Sequence, residues 1–256
     1  MRADAPTVAA FFSPDPLASG ALVTLGEEAA HHMRVRRLEV GDAVELRDGV
    51  GAFGRGRLVR LAKSHAVVEL GAASTVERPP NVHLLAPVAD RERTLWLAEK
   101  AMELGVASWR PVVWHRSKSV GPRGEGVGFH QKVRARMSSA LIQCEAGWMP
   151  DILPDSTIER AMRALPEGTR LVLDPDGSPI EAIPLDGAAV IAVGPEGGLE
   201  PAELVELEGA GFRRLRLPGN ILRFETAAVV GIALVRAALE RTAHERDVPV
   251  PPRTPE

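Results

Sequence analysis

The sequence predicts two architectures in series: a small, mostly β barrel, then an α/β domain with a mainly parallel sheet. Three observations predict this. Up to Leu70 the apolar segments are short and β-like. Beyond Pro80, runs of strand length alternate with runs of helical period. Residues 194–226 then hold two Gly/Pro-rich loops, each following a short apolar run and each opening onto a helix.

The elements follow in order. Ala21–Leu25, Val44–Leu46, Arg57–Leu61 and Ala66–Leu70 are brief apolar or alternating runs, read as strands. Glu27–Arg37 is one short helix set between them. Asp48-Gly49 followed by Gly51 signals a hairpin. Ser74 to Pro80 is polar and ends in two prolines, which marks a linker at 75–80. Val82–Val88 is the next strand. Arg91–Leu104 is helical, with Leu95, Ala98 and Met102 on one face, Leu97, Ala101 and Leu104 beside it, and Gly105 as its stop. Val106–Trp114 is β-like. Ser117–Gly128 is glycine-rich and basic, hence a loop expected to move. Phe129–Ala146 is a helix with an apolar stripe of Val133, Met137, Ala140, Leu141 and Cys144.

Leu171–Leu173 and Val190–Val193 read as short buried strands, the second entering the first glycine loop. Glu200–Glu208 is a helix with Pro201 suited to its first position. Leu215–Leu217 is a strand. Thr226–Leu239 is a helix apolar on most faces, which predicts burial, with a subunit interface as one cover. The charged, Pro-rich tail from Arg241 is expected to fray, and 243–256 to lack order.

Composition bounds the function. The chain has 256 residues, 45% hydrophobic and 25% charged, with a formal net charge of −3. It is large enough for two ordinary domains, and its total charge does not announce nucleic acid. Cys144 stands alone, so no intrachain disulfide forms; a reduced, cytoplasmic setting is expected, with Cys144 a small buried apolar residue. No signal peptide or membrane-spanning run is read. Charge is nevertheless local. His31–Lys63 carries eight Lys/Arg against four acids, and Ala107–Arg136 seven against one. Two such stretches fit either solvated surface or a phosphate-binding face.

In an open α/β sheet ligands sit at the carboxyl ends of strands. Leu173→Asp174, Val193→Gly194 and Leu217→Pro218 are three such ends, each followed by a Gly/Pro turn. The 194–199 loop lacks the spacing of a P-loop and of a Gly-x-Gly-x-x-Gly fold, and no Lys follows it. That disfavours a polyphosphate and favours an adenine-bearing cofactor of lower charge, held by main-chain hydrogen bonds. A tight strand–helix turn without a ligand is the alternative. The adjacent His31 and His32 point apart on a helix and lack spaced partners, so no metal site is expected.

Gly194-Pro195-Glu196-Gly197-Gly198-Leu199, then Glu203, then Ile221-Leu222-Arg223 with Glu225-Thr226-Ala227, resembles the paired signature of the SPOUT methyltransferases that methylate N3 of a uridine in 16S ribosomal RNA, the RsmE-type family. His32, Val35, Arg37, Gly41-Asp42 and Asp48-Gly49 resemble its PUA-like domain. Glu99-Lys100 through Val106 resembles its first catalytic-domain helix, and Gln143 and Pro150 its central segment. The resemblance covers about residues 10–240. It implies a PUA-like RNA-binding β barrel at 1–74 and a trefoil-knotted SPOUT α/β domain at 81–242. It also implies a homodimer through the knot domain, S-adenosylmethionine as methyl donor, and 16S rRNA of the small ribosomal subunit as partner. The chain departs from the family pattern at Asn220 and at Ala146, where the family has arginines.

On this resemblance the cofactor positions are Leu173, Gly194, Pro195, Gly197, Leu217, Gly219, Ile221 and Leu222, binding mostly through main chain. Arg223 is the candidate for stabilising charge on a uracil oxygen, because its planar fork suits that geometry. The alternative is an ion pair from Arg223 to Glu225 or Glu196. Either carboxylate is a candidate acceptor of the N3 proton, or else a cap for backbone N–H groups. Thr226 reads as a helix N-cap. His32, Arg34, Arg37, Arg116 and Lys118 are the expected RNA contacts, with Arg34 and Arg37 on one helical face. Two rival functions stay open: ribose 2′-O methylation, and a non-catalytic RNA-binding assembly factor, which the two missing arginines favour.

Overall fold

The computed structural model describes residues 8–117 and 126–247. The loop expected to move lies largely outside these residues, as does the tail from 248 on; residues 243–247, expected to lack order, instead end the last helix, Phe224–Asp247. Two compact units form. One comprises the described residues up to Arg78 together with Met137–Met149; the other comprises those of Pro79–Arg136 and of Pro150–Glu256.

The first unit is built on a five-stranded sheet. Its strands are β1 (Ala9–Phe12), β2 (Leu22–Leu25), β3 (Ala43–Arg47), β4 (Ala52–Leu61) and β5 (Ala66–Thr75), paired in the order β1-β3-β4-β5-β2. Only β1–β3 is parallel. Inward residues alternate along the strands, as Val23 and Leu25, Val44 and Leu46, and Val68 and Leu70 show. Helix α1 (Glu27–Val35) adds Ala30 and Met33 to that core. The strand β1 was not expected: Ala-Ala-Phe-Phe is too short to show a period.

Asp48 shapes the β3–β4 hairpin. Its Oδ1 accepts from the N–H groups of Val50 and Ala52 at 2.9 and 3.0 Å, and its Oδ2 from that of Leu17 at 3.1 Å. The segment 147–149 docks on this hairpin. Gly51 N–H donates to Gly147 O, Met149 N–H to Gly49 O, and Trp148 Nε1 to Val76 O at 3.0 Å.

The second unit is an α/β layer structure. Its strands are β6 (Val82–Pro87), β7 (Ser108–Val113), β8 (Asp151–Ile152), β9 (Ser156–Thr157), β10 (Thr169–Ser178), β11 (Ala189–Ala192) and β12 (Arg213–Leu215). All pairings are parallel, in the order β12-β10-β11-β6-β7-β8, with β9 also on β7. The helices are α2 (Arg91–Glu103), α3 (Val127–Gln143), α4 (Ile158–Arg163), α5 (Pro201–Gly209) and α6 (Phe224–Asp247). From Met137 on, α3 belongs to the first unit. The strands β8 and β9 and the helix α4 were not expected. Two-residue strands carry no pattern, and α4 is under two turns.

Parallel strands buried on both faces read as continuous apolar runs, and β11 (Ala-Val-Ile-Ala) is wholly buried. Within the single chain helix α6 is buried on one side only. Phe224, Ala228, Ile232, Val235 and Leu239 are buried, whereas Thr226, Ala233 and Ala237 are exposed. Arg236 on the buried side donates to the carbonyls of Leu104, Pro80 and Gly105. Burial pushes its pKa below the ordinary arginine value. Among the described residues no helix is long and apolar enough to cross a membrane.

Candidate functional site

Three loops leave the carboxyl ends of β10, β11 and β12, where an open parallel sheet places its ligands. In the first, residues 174–177 drop out of the β10–β12 ladder: Leu173 and Ser178 both register with Leu215. Asp174 Oδ1 closes the turn by accepting from Asp176 N–H at 2.7 Å. In the second, Gly198 N–H bonds Pro195 O at 2.8 Å, turning the chain into α5. Helix α5 opens on Pro201 with a capping box between Glu200 and Glu203. In the third, Gly219 has φ +91°, a left-handed conformation that side chains with a Cβ rarely adopt, and a Cβ there would meet nothing within 4 Å.

These loops enclose a cleft of about 730 Å³. Of the expected cofactor positions, Leu173, Gly194, Pro195, Leu217, Gly219, Ile221 and Leu222 line it. Gly197 does not; a Cβ on it would stand 3.2 Å from the Arg116 side chain. Leu173 is seated by Gly231 of α6, whose absent Cβ leaves room for the leucine methyls at 3.0 Å. Ile221 is 89% exposed, which a purely structural loop gains nothing from.

Buried Glu203 fixes the second loop. Its carboxylate accepts from the N–H groups of His115 and Glu200 at 2.8 and 2.7 Å. Arg116 adds a bond from Nη1 to Gly197 O at 3.0 Å and an ion pair to Glu200 at 3.6 Å. An expected RNA contact is thus also a brace for the glycine loop.

The catalytic candidates are arranged differently from expectation. Arg223 lines the cleft, exposed, and among the described residues makes no ion pair to Glu196 or Glu225. Arg93, in the first turn of α2, takes both carboxylates instead. It pairs with Glu196 Oε1 through Nη1 and lies 3.9 Å from Glu225 Oε1 through Nε. Arg93 also lines the cleft, with Asp174, Asp176, Arg216 and Phe224. Sequence reasoning placed Asp174 at a ligand-bearing strand end but missed the other four. The signal for Arg93 was its place, one helical turn past the end of a parallel strand, where ligands gather. Glu225 is buried, and among the described residues its Oε2 has no hydrogen-bond partner. Thr226 is not an N-cap, because α6 already begins at Phe224.

The remaining RNA candidates lie in the first unit, except Lys118, which falls outside the described residues. His32 is exposed, with its ring edge-on to Phe11 at 6.0 Å. Arg34 Nη1 donates to Ala62 O at 2.6 Å and Lys63 O at 3.1 Å. Arg37 does not share a helical face with Arg34. Helix α1 ends at Val35, and Arg37 sits at φ +58°, in the left-handed region. Its position is the C-terminal turn that more often takes glycine.

Of the two departures noted in the sequence, Asn220 lines the cleft. Ala146 sits in the first unit, where its carbonyl and that of Glu145 accept from Arg47 Nη1 at 3.3 and 2.5 Å.

Comparison with known proteins bears on the whole chain. A family model described as an RNA methyltransferase domain matches residues 76–236, and one described as an RNA methyltransferase PUA domain matches residues 25–71. Over 229 residues the chain is 28% identical to the ribosomal RNA small subunit methyltransferase E of Synechocystis sp., covering 86% of this chain and 74% of that protein. The protein of the same name from Mycobacterium tuberculosis is 27% identical over 256 residues, covering 91% and 94%. Among solved structures, the ribosomal RNA small subunit methyltransferase E from Neisseria gonorrhoeae bound to S-adenosyl methionine superposes with a TM-score of 0.82. It is 28% identical, covering 90% of this chain and 98% of that one.

Proposed function

We infer the activity from one premise: the chain belongs to the RNA methyltransferase domain family, whose model spans more than half of it. It is an S-adenosylmethionine-dependent methyltransferase of ribosomal RNA. The finer reading is that it methylates N3 of one uridine in 16S rRNA of the small ribosomal subunit.

The observation that carries this is the cleft. Its volume of about 730 Å³ lies within the roughly 300–1,000 Å³ of small-molecule sites. Leu173, Val193, Leu199 and Leu222 supply apolar walls for an adenosine. The main chain of Gly194, Leu217, Gly219 and Leu222 supplies the hydrogen-bonding groups, and open space at Gly219 leaves its own main chain accessible. The bound cofactor supplies an electrophilic sulfonium methyl. The protein must then extrude the base, orient N3 and support negative charge on the uracil. Arg223 does the last, since it lines the cleft, exposed, and makes no ion pair among the described residues. Glu196 and Glu225 are the acidic candidates for accepting the N3 proton.

RNA recognition falls to the PUA domain, with His32, Arg34 and Arg37 on its surface, and to Arg116 beside the glycine loop. The trefoil knot is part of this reading because the 194–199 and 221–227 segments resemble the paired SPOUT signature. The exposed Ala233 and Ala237 on α6 support a second copy packing there as a homodimer. The lone Cys144 supports a cytoplasmic setting.

Titration calorimetry is expected to give one S-adenosylmethionine site per chain with a Kd below about 100 µM. Incubation with small subunits lacking the modification, a deuterated-methyl donor and nucleoside mass spectrometry is expected to yield N3-methyluridine. A methyl group on ribose would replace the finer reading. No binding at high micromolar cofactor would remove the activity itself.

A further inference from the structure

Three guanidiniums (Arg93, Arg216 and Arg223) and three carboxylates (Asp174, Asp176 and Glu196) line the cleft, with Glu225 buried at the start of α6, and the pairing among them is selective. Arg93 takes Glu196 from the second loop and Glu225 from the first turn of α6. Arg223, two residues before Glu225, takes neither. The planar guanidinium presents donors on two edges, Nη1 and Nε, so one side chain can serve two acids in different elements. A lysine ammonium, a single point charge on a flexible stem, lacks that span. Without Arg93, the cations left lining the cleft are Arg216 and Arg223, both exposed, and Arg223 is the one two residues from Glu225 in the chain.

The backbone of Arg93 is itself fixed. Asp90 Oδ1 accepts from Arg93 N–H at 3.0 Å, and Thr94 Oγ1 donates to Asp90 O at 2.8 Å. The first turn of α2 therefore holds the side-chain origin while the guanidinium ties the second loop and the first turn of α6 to it. Among the described residues the buried Oε2 of Glu225 has no hydrogen-bond donor, which adds to the need for a cation here, since a buried carboxylate oxygen without a donor is unfavourable.

The geometry points to Arg93 as the positioning residue of this site: it sequesters Glu196 and Glu225 so that Arg223 stays available to the anionic uracil. This rests on the methyltransferase reading and deepens it. It also assigns both carboxylates a holding role in place of proton abstraction.

The test is charge rescue. In single-turnover methylation at saturating RNA and cofactor, Arg93→Ala is expected to lose about 100-fold in rate, the scale of removing one preorganised charge donor. Its cofactor Kd is expected to stay within about threefold of the parent. Adding Glu196→Gln and Glu225→Gln to that variant is expected to recover about tenfold, because Arg223 is released again. Arg93→Lys is expected to fall between. A second readout needs neither ligand nor turnover: amide hydrogen exchange across 194–200 and 224–228 is expected to rise about tenfold in Arg93→Ala. Parental rate in Arg93→Ala, a triple variant as slow as the single one, or unchanged exchange would each overturn the assignment. An inactive parent whose exchange still responds to Arg93→Ala would sink the methyltransferase reading and leave the clamp standing.

Discussion

A Cβ placed on Gly51 in the first unit would lie 2.5 Å from the Trp148 ring, whereas one placed on Gly219 in the second would meet nothing within 4 Å. Both residues have positive φ, +105° and +91°. The turn conformation is thus a shared requirement, and the surroundings distinguish the two. Around Gly51 the missing side chain is replaced by protein: Trp148 lies over it, and Gly147 O accepts its N–H at 2.9 Å. Around Gly219 the missing side chain is replaced by a cleft. The same residue type makes a joint in one unit and an opening in the other. A glycine that is left-handed and uncrowded at the carboxyl end of a parallel strand is the signature of a main-chain binding surface.

The strongest way to break this comparison is Gly51→Val. A β-branched residue there meets backbone strain and the indole together, so a loss of about 3–5 kcal/mol is expected. Denaturant unfolding measures it. A loss under about 1 kcal/mol would mean that Trp148 swings aside freely and that the joint is not tight. Gly219→Val should behave differently. Strain alone costs about 1–3 kcal/mol, while the side chain enters space that the cofactor main-chain contacts need. Calorimetry should show affinity for S-adenosylmethionine falling at least about tenfold. Equal affinity in the variant would mean that the third loop does not hold the cofactor.

The same contrast explains what was legible in the sequence. The hairpin at Asp48-Gly49 and the loop after Val193 were visible because Gly, Pro and Asp restrict the chain locally, whereas two strand ends were misplaced: β10 resumes past Leu173 to Ser178, and β12 stops at Leu215 rather than spanning Leu215–Leu217. The alternation beyond Pro80 was visible because buried parallel strands and amphipathic helices repeat with different periods. What stayed hidden depended on partners far along the chain. Arg93 and Glu196 are separated by 103 positions, and no local spacing links them. Arg47 and the 145–146 carbonyls are separated by about as many. Strand β1 exists because β3 offers it a parallel edge, as the pairing of Ala9 with Val44 shows. The end of α1 was overrun because Arg36 and Arg37 look helical by composition, while Arg37 in fact turns left-handed.

The smallest expected effect sharpens the comparison by testing whether the cleft is insulated from its own scaffold. Glu99 and Lys100 lie on α2, the helix that carries Arg93. The Glu99 carboxyl is held below its ordinary value, chiefly by the hydrogen bond from Lys100 at 2.9 Å and further by Arg136. The Lys100 ammonium is held above its ordinary value by Glu103 first and Glu99 second. A lowered carboxyl stabilises the fold above its unfolded pKa, and that contribution is lost as pH falls through the lowered folded value. A raised ammonium stabilises below its unfolded pKa, and that contribution is lost as pH rises through the raised folded value. Glu99→Gln should therefore remove about 0.5 kcal/mol at neutral pH, the scale of a surface pair, and nothing once the acid limb is passed. Chemical unfolding at neutral and acidic pH reads the difference. If Glu99→Gln leaves cofactor affinity untouched while Gly219→Val lowers it, α2 serves the cleft through its first turn alone. If both lower it, the cleft depends on the charge of the whole helix, and its glycines would no longer account for binding by themselves.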